Sequence, residues 1–198
     1  MEVFEAMGSC RAMRYLRPDP VPEELIRKLV WGATRASNPG NSQCWEFLVL
    51  RDAERKRRIG AEVARRMTPF IEARRDDEDP VARRMYRGVA HLLAHFAEVP
   101  VWIVIGGRAI YPPERPVRST VWSSVYPAGQ NLVLAARALG LGATFTTFHI
   151  SCEALLRESL GIPEDVLLGV MAAVGWPDRP FGPVARKPLE EVVHWDRW

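Results

Sequence analysis

The sequence has few cysteines, few lysines and no long uninterrupted apolar run. Its three cysteines, Cys10, Cys44 and Cys152, are odd in number and far apart, which fits neither a disulfide framework nor a paired Cys-x-x-Cys metal site. Charge or glycine breaks every apolar run well before about 18 residues, so no membrane span is predicted. The first residues are acidic, unlike a secretory signal. We therefore expect a cytoplasmic protein in a reducing compartment.

The chain has 198 residues, of which 47% are hydrophobic, and this predicts a single domain over residues 1–198. The net charge is +3, and the only lysines are Lys28, Lys56 and Lys187. The other basic side chains are arginines, whose planar guanidinium group can donate two parallel hydrogen bonds to a phosphate. The basic charge favours anionic ligands, although genome composition could produce the same arginine bias.

Hydrophobic periodicity and capping residues predict helices over 3–9, 53–66, 81–96, 119–139 and 153–160, and a further helix that begins at the start signals in 19–24 and runs to about Thr34. Strands are predicted over 45–50, 99–105, 143–148 and 166–174. Residues 70–80 have no clear period and are predicted to be mobile. The helix over 119–139 is apolar almost all round, which predicts burial on every side, and in a chain of this size such complete burial usually needs a partner subunit. Helices and strands do not alternate regularly, so an α+β sandwich is favoured over a doubly wound fold.

Two segments carry residue types that suit an anionic, ring-bearing ligand. Arg11 and Arg14 are three residues apart, so both guanidinium groups can reach one dianionic phosphate. Residues 37–45 form a turn in which the amides of Asn41 and Gln43 offer donors and acceptors to a polar ring edge. The alternatives are two solvated arginines and a capped turn that merely orients Trp45 into the core.

Other motifs point to no further chemistry. The Gly140-Leu141-Gly142 run follows a predicted helix and precedes a predicted strand, the reverse of a dinucleotide-binding loop. His91 and His95 share a helix face, but no glutamate or cysteine pair completes a zinc motif, so we expect no metal. The basic residues 55–58 lack interleaved aromatics, so we expect no nucleic-acid binding.

In order and spacing these segments resemble the FMN-binding signature of the nitroreductase family. That signature has an Arg-Ser-x-Arg run followed by a Pro-Ser-x-x-Asn-x-Gln-Pro-Trp turn. The Gly-Leu-Gly run resembles the family segment that precedes a strand ending beside flavin N5, which is here Thr146 and Thr147. Residues 185–191 resemble the family's closing Arg-Lys-Pro-Leu-Glu-Glu. The chain departs from the pattern at Ala12, where serine is usual, and at Cys10, where the family has a further arginine.

The resemblance implies a nitroreductase-like three-layer sandwich, with a central, mostly antiparallel sheet flanked by helices. It also implies a homodimer with C-terminal exchange and two FMN sites at the subunit interface. NAD(P)H would reduce FMN, which would then reduce a nitroaromatic, a quinone or a related acceptor in a ping-pong cycle, with no side chain acting as acid or base. The implied cofactor-binding residues are Arg11, Ala12, Arg14, Ser37, Asn38, Pro39, Gly40, Asn41, Gln43, Thr146, Thr147, Arg186 and Lys187.

The resemblance leaves alternatives open. The family also includes reductive dehalogenases, flavin-cleaving enzymes and F420-linked enzymes, and a non-catalytic flavin-binding protein is a further possibility. A threonine at N5 resembles the dehalogenase branch, although the lid-like region lacks the lysine of that branch's substrate clamp. Specificity is expected in residues 68–87 and 110–122, with Tyr86, Tyr111 and Trp122 as stacking groups. Trp195 and Trp198 make the tail too apolar for a free end, so we expect it to pack, for instance against the other subunit.

Overall fold

A computed structural model describes all residues, 1–198, as six helices around one antiparallel sheet. The helices are α1 (Val3–Ser9), α2 (Glu23–Ala33), α3 (Ala53–Glu72), α4 (Pro80–Ala94), α5 (Ser119–Ala138) and α6 (His149–Leu160). The strands are β1 (Leu16–Arg17), β2 (Trp45–Leu50), β3 (Val101–Arg108), β4 (Gly142–Thr146) and β5 (Val166–Pro177). Two short 3-10 turns lie at Pro39–Asn41 and Leu189–Glu191.

The sheet has the order β1-β5-β3-β2, and every strand pair is antiparallel. One edge of β5 pairs with β3 over most of its length. The other edge pairs first with β4 and then, at its last two residues, with β1. Strand β2 forms the opposite edge of the sheet, and its outer side has no partner within the chain.

Helices cover both faces of the sheet, which confirms the predicted three-layer α+β sandwich. Alternate residues of β3 point to opposite faces. Ile103 and Ile105 join the core under α2 and α5, while Trp102 and Val104 join the core under α3, α4 and α6. Because both faces of β3 are buried, this strand has the continuous apolar sequence that distinguishes it from a half-exposed strand.

Helices enter both ends of the segment 70–80, which was predicted to be mobile, and residues 73–79 between them lie outside any helix or strand. Helix α3 continues to Glu72, because Ile71 is buried and anchors its last turn. Helix α4 then begins at Pro80, where the Asp79 carboxylate accepts hydrogen bonds from the backbone amides of Val81 and Ala82. Capping of this kind stabilises a helix start by about 1 kcal/mol.

Helix α5 is only partly buried in the single chain. It buries one face, but Tyr126 is 45% exposed and Trp122 and Val133 are only partly covered. Pro127 lies inside this helix, beyond its first turn. Trp198 at the end of the tail is fully exposed in the single chain. No helix has the length and apolar character needed to cross a membrane.

Candidate functional site

The Arg11–Arg14 segment lies along β4, near the corner of the sheet where β4 meets β1. The backbone amide of Met13 donates a hydrogen bond to the carbonyl of Ala143. The Met13 side chain packs so closely on Gly142 that a Cβ there would lie 2.6 Å from Met13 Cγ. The segment is therefore held against the sheet by both backbone and side-chain contacts, and its arginines are presented from a fixed backbone.

Arg14 is a partly buried charge without a partner. Its side chain lies beneath α4, where it approaches Gly88, and it forms neither an ion pair nor a hydrogen bond within the chain. Burial lowers the pKa of the Arg14 guanidinium, Tyr15 opposes this shift, and the neighbouring charge of Arg11 lowers the pKa further. An uncompensated cation at a partly buried position costs free energy, and an anion bound beside it would offset that cost.

A cavity of about 300 Å³ opens beside Arg14. Arg11 and Arg14 line it together with Arg84 from α4 and Arg179 from the segment after β5, and no carboxylate is among the lining residues. Neither Arg84 nor Arg179 was predicted from the sequence. They lie on separate segments far from the motif in sequence, and no spacing rule would have found them.

The C-terminal segment brings Arg186 to the same corner of the sheet. The backbone amide of Val184 donates to the carbonyl of Gly8, and Arg11 Nη1 lies 3.1 Å from the position of a Cβ on Gly182. Burial raises the pKa of the Cys10 thiol, and the charges of Arg137 and Arg186 act in the opposite direction. Arg186 therefore lies within electrostatic range of the Arg11 segment, whereas Lys187 is exposed and has no contact that links it to the cavity.

Strand β4 ends at the two threonines that were predicted to lie near N5. The Thr146 hydroxyl donates to the carbonyl of Met171 at 2.6 Å and accepts from the amide of Phe148 at 3.4 Å. Thr147 is exposed, and its hydroxyl has no partner. Only Thr147 therefore has a hydroxyl hydrogen that is free to be donated to a ligand.

The Asn-Pro-Gly-Asn turn is held by its own side chains and by Tyr111. Asn38 Oδ1 accepts from the amide of Gln43 at 2.8 Å. Gly40, Asn41 and Gln43 all adopt positive φ, between 48° and 57°, and the Tyr111 ring lies against Gly40. The side chains of Asn41 and Gln43 are exposed and unpaired, so they are available to a ligand or to another chain.

One chain does not bring all the predicted site residues together. Trp45, which follows the turn, pairs with Gly107, and Gly107 pairs with Leu167 at the start of β5. The arginine segment leads into Leu16, which pairs with Pro177 at the end of β5. Ten residues of extended strand separate these two ends by roughly 30 Å. In a single chain the backbone anchors of the turn and of the arginine segment therefore lie far apart along β5.

The structure does bring the arginines and threonines of one chain to a common edge. Thr146 is three residues from Ala143 on β4, or roughly 10 Å from the point where Met13 is bonded. Among the predicted stacking groups, Tyr86 packs edge-on against Phe70 at 6.2 Å and Trp122 stacks on Tyr126 at 5.5 Å. Neither lines the arginine cavity, which α4 covers instead with Val81, Arg84 and Met85.

The sequence is similar to known proteins of one family. The sequence model described as Nitroreductase family matches residues 9–176. A protein named NADH dehydrogenase from Thermus thermophilus is 32% identical, over 93% of this chain and 91% of that protein. Iodotyrosine deiodinase 1 from Rattus norvegicus is 26% identical, over 97% of this chain and 68% of that protein.

The fold is also shared with a solved structure. A single-residue mutant of an FMN and NADPH-dependent nitroreductase, derived from Sphigopyxis sp. strain HMH, superposes with a TM-score of 0.74. The alignment covers all of both chains at 22% identity. At this identity the likeness shows the fold, and the chemistry of the site must be argued from this chain's own residues.

Proposed function

This chain belongs to the nitroreductase family, and we propose that it is an FMN-dependent oxidoreductase that uses NAD(P)H. Bound FMN would supply the redox chemistry, by taking a hydride from NAD(P)H and passing electrons to a nitroaromatic, a quinone or a related acceptor in a ping-pong cycle. The observation that carries the proposal is Arg14, a partly buried cation without a protein partner, beside Arg11 in a cavity free of carboxylates.

The arginines fit the phosphate end of FMN. Arg11 and Arg14 face one cavity, and Arg186 lies at the same corner of the sheet. A charge-assisted hydrogen bond contributes about 1.5–3 kcal/mol, so two of them would account for roughly two to four orders of magnitude in affinity. Ala12 lines the same cavity and can offer only its backbone. Lys187, next to Arg186 in sequence, is proposed as an outer contact.

A second copy of the chain would complete the site. We propose a homodimer in which Asn41 and Gln43 of one copy meet the polar edge of the flavin held by the other copy's arginines. The remaining turn residues would line the same edge, namely Ser37, Asn38, Pro39 and Gly40. Two exposed apolar elements support this assembly: α1, where Phe4 is 82% exposed, and the tail that carries Trp195 and Trp198. Such surface is typical of an interface.

Thr147 is the proposed hydrogen-bond donor at the reactive edge of the flavin. Its hydroxyl is free, whereas that of Thr146 is already given to Met171. Thr146 would therefore position the end of β4, and the Thr147 hydroxyl would donate a hydrogen bond to the flavin. A donor fixed at this place tunes electron transfer without acting as an acid, and so the chain needs no catalytic acid or base of its own.

Spectroscopy of the purified protein tests the proposal. We expect a yellow protein whose ligand, released by heat, is FMN and not FAD or F420. NADH or NADPH should bleach the colour without oxygen, and a quinone should restore it. A protein that takes up no flavin on reconstitution contradicts the proposal. Colour without bleaching by either nucleotide would indicate a flavin-binding role without turnover.

Reductive dehalogenation is a second candidate, favoured by the free Thr147 hydroxyl and by the similarity to iodotyrosine deiodinase 1. It can be tested by incubating the reduced protein with 3-iodotyrosine and measuring released iodide. Thr147→Ala serves as the matched variant, with Thr146→Ala as the comparison. Iodide release that depends on the Thr147 hydroxyl supports the candidate, and no release from the wild-type protein contradicts it.

A further inference from the structure

The arginine cavity holds more positive charge than one flavin phosphate requires. Four guanidinium groups line about 300 Å³, and the lining contains no carboxylate. None of the four forms an ion pair within the chain. A phosphate monoester carries a charge of about −1.5 to −2. It would balance Arg11 and Arg14, with Arg186 nearby, and would leave Arg84 and Arg179 unmatched.

The neighbours of Arg84 on α4 show that its charge is left free. Arg83 donates to the backbone carbonyl of Asp77 at 2.9 Å, and Arg87 pairs with the Asp76 carboxylate at 2.6 Å. The Asp79 carboxylate caps the helix. Arg84 has none of these partners and turns into the cavity. Arg84 is therefore available to a ligand.

Arg179 is held in place by a stack of rings. Its guanidinium lies 3.4 Å from the centroid of the Tyr15 ring. Tyr15 stacks on His91 at 4.4 Å, and His91 stacks on His95 at 4.1 Å. The backbone carbonyl of Tyr15 also accepts from the amide of Asp178. Cation–π contact and backbone pairing thus orient Arg179 before a ligand arrives, which reduces the ordering cost of binding.

Exposure divides the four arginines into two pairs. Arg11 and Arg14 are partly buried, whereas Arg84 and Arg179 are exposed at the cavity mouth. The partly buried pair suits a cofactor that remains bound. The exposed pair suits a substrate that binds and dissociates in each catalytic cycle. We propose that Arg84 and Arg179 form a second anion subsite, which takes a phosphate group of the nicotinamide dinucleotide that reduces the flavin. This inference rests on the proposed function, because that reductant must bind beside FMN in every cycle.

Reductants with and without phosphate test the subsite. Arg84→Ala and Arg179→Ala should each raise the Kd for NADH or NADPH about tenfold, measured from the rate of anaerobic flavin bleaching. Bleaching by N-benzyl-1,4-dihydronicotinamide, which has no phosphate, should not change. Arg87→Ala is the control, because it removes the same charge from the same helix outside this cavity. An effect on NADPH alone assigns the 2′-phosphate, and an effect on both assigns the diphosphate.

A binding measurement without turnover gives an independent readout. Calorimetry with inorganic pyrophosphate on the FMN-loaded, oxidised protein should show binding that each variant weakens about tenfold without displacing FMN. Equal binding to wild type and variants, or loss of FMN from the variants, overturns the subsite. Wild-type protein that takes up no FMN contradicts the proposed function instead, so the two failures can be told apart.

The ring stack makes Tyr15 a positioning residue. Tyr15→Phe keeps the ring under Arg179, whereas Tyr15→Ala removes it. We expect the alanine variant to raise the Kd for the nucleotide as Arg179→Ala does and the phenylalanine variant to match wild type. An alanine variant that retains FMN and wild-type nucleotide affinity would show that the stack does not act through Arg179.

Discussion

Arg14 holds a positive charge under helix α4 with no carboxylate to balance it. Arg14→Met should therefore raise the free energy of unfolding of the flavin-free protein, by roughly 1 kcal/mol. The same substitution should weaken FMN binding about 10- to 100-fold, because a charged hydrogen bond is lost. Urea unfolding and flavin titration measure the two effects, whose opposite signs are characteristic of a binding residue.

Arg17→Met is the matched control for this residue. Arg17 lies three residues after Arg14, is about half exposed and pairs with the Asp19 carboxylate at 3.2 Å. An exposed pair of this kind contributes about 0–1 kcal/mol, and the side chain does not line the cavity. We expect little change in stability and none in FMN affinity. Equal losses of FMN from both variants would contradict the role given to Arg14.

Protonation of the buried His149 is expected to lower the free energy of unfolding in mild acid. Burial lowers the pKa of this imidazole, although Glu153 and the Leu168 carbonyl oppose the shift. The unfolded chain therefore takes up the proton first, so stability is complete above about pH 6.5 and falls as the pH drops below it. Hydrogen bonds from Arg65 and Arg66 hold the pKa of the Glu62 carboxyl at about 2, well below this range.

Urea unfolding at pH 7.5 and 5.5 measures this dependence. His149→Gln should reduce the difference between the two free energies of unfolding. Part of the difference should remain, because burial also lowers the pKa of His91. His194→Gln provides the control, because His194 is exposed. The prediction fails if wild type and His149→Gln lose the same stability between the two pH values.

Sequence motifs identified the arginines that are close in the chain but not those that are close only in space. Arg11 and Arg14 lie three residues apart and meet in one cavity, as their spacing predicts. Arg84 and Arg179 join them only because α4 packs over the segment and β5 ends beside it. Tertiary placement of this kind leaves no periodic signal in a single sequence.

Among the structural elements, the turn at Pro39–Asn41 depends most on glycine. Gly40 has φ of 57°, and a Cβ there would lie 2.1 Å from the Tyr111 ring. Gly40→Ala should therefore cost more than the roughly 1 kcal/mol that a left-handed non-glycine residue costs by itself. Urea unfolding measures the cost, and Gly40→Ala combined with Tyr111→Ala should recover the steric part of it.

Gly161 is the control for this turn. Its φ is 66°, but no heavy atom lies within 4 Å of the position that a Cβ would take. Gly161→Ala should show the backbone cost alone. Equal costs at the two glycines would mean that the Tyr111 ring moves aside freely and does not hold the turn.

Element types followed from periodicity more reliably than element ends. The bounds of α1 and β2 match the prediction, because a clear apolar pattern ends at a turn signal in each. The two helix ends in the segment 70–80 were not predicted, since the end of α3 depends on Ile71 packing into a distant core and the start of α4 on the Asp79 cap. The many charged residues of this segment hide the apolar pattern around Ile71 and the capping role of Asp79.

At the scale of the whole molecule, the exposed tail predicts a role in assembly. Leu189, Trp195 and Trp198 are at least 70% exposed in the single chain. Removing residues 189–198 should convert the proposed dimer to monomer, measured by analytical ultracentrifugation, and should lower FMN affinity because the composite site is lost. A truncated protein that remains dimeric would contradict C-terminal exchange.

The central claim is that each flavin site combines the arginines of one copy with the turn of another. Arg11→Ala/Arg14→Ala removes one half of the site, and Asn41→Ala/Gln43→Ala removes the other. Each variant alone should bind FMN weakly at both sites. A mixed dimer of the two, purified with different tags, should regain one intact site and bind about half the FMN of the wild-type dimer, as measured by absorbance. A mixed dimer that binds no more FMN than either parent contradicts the claim.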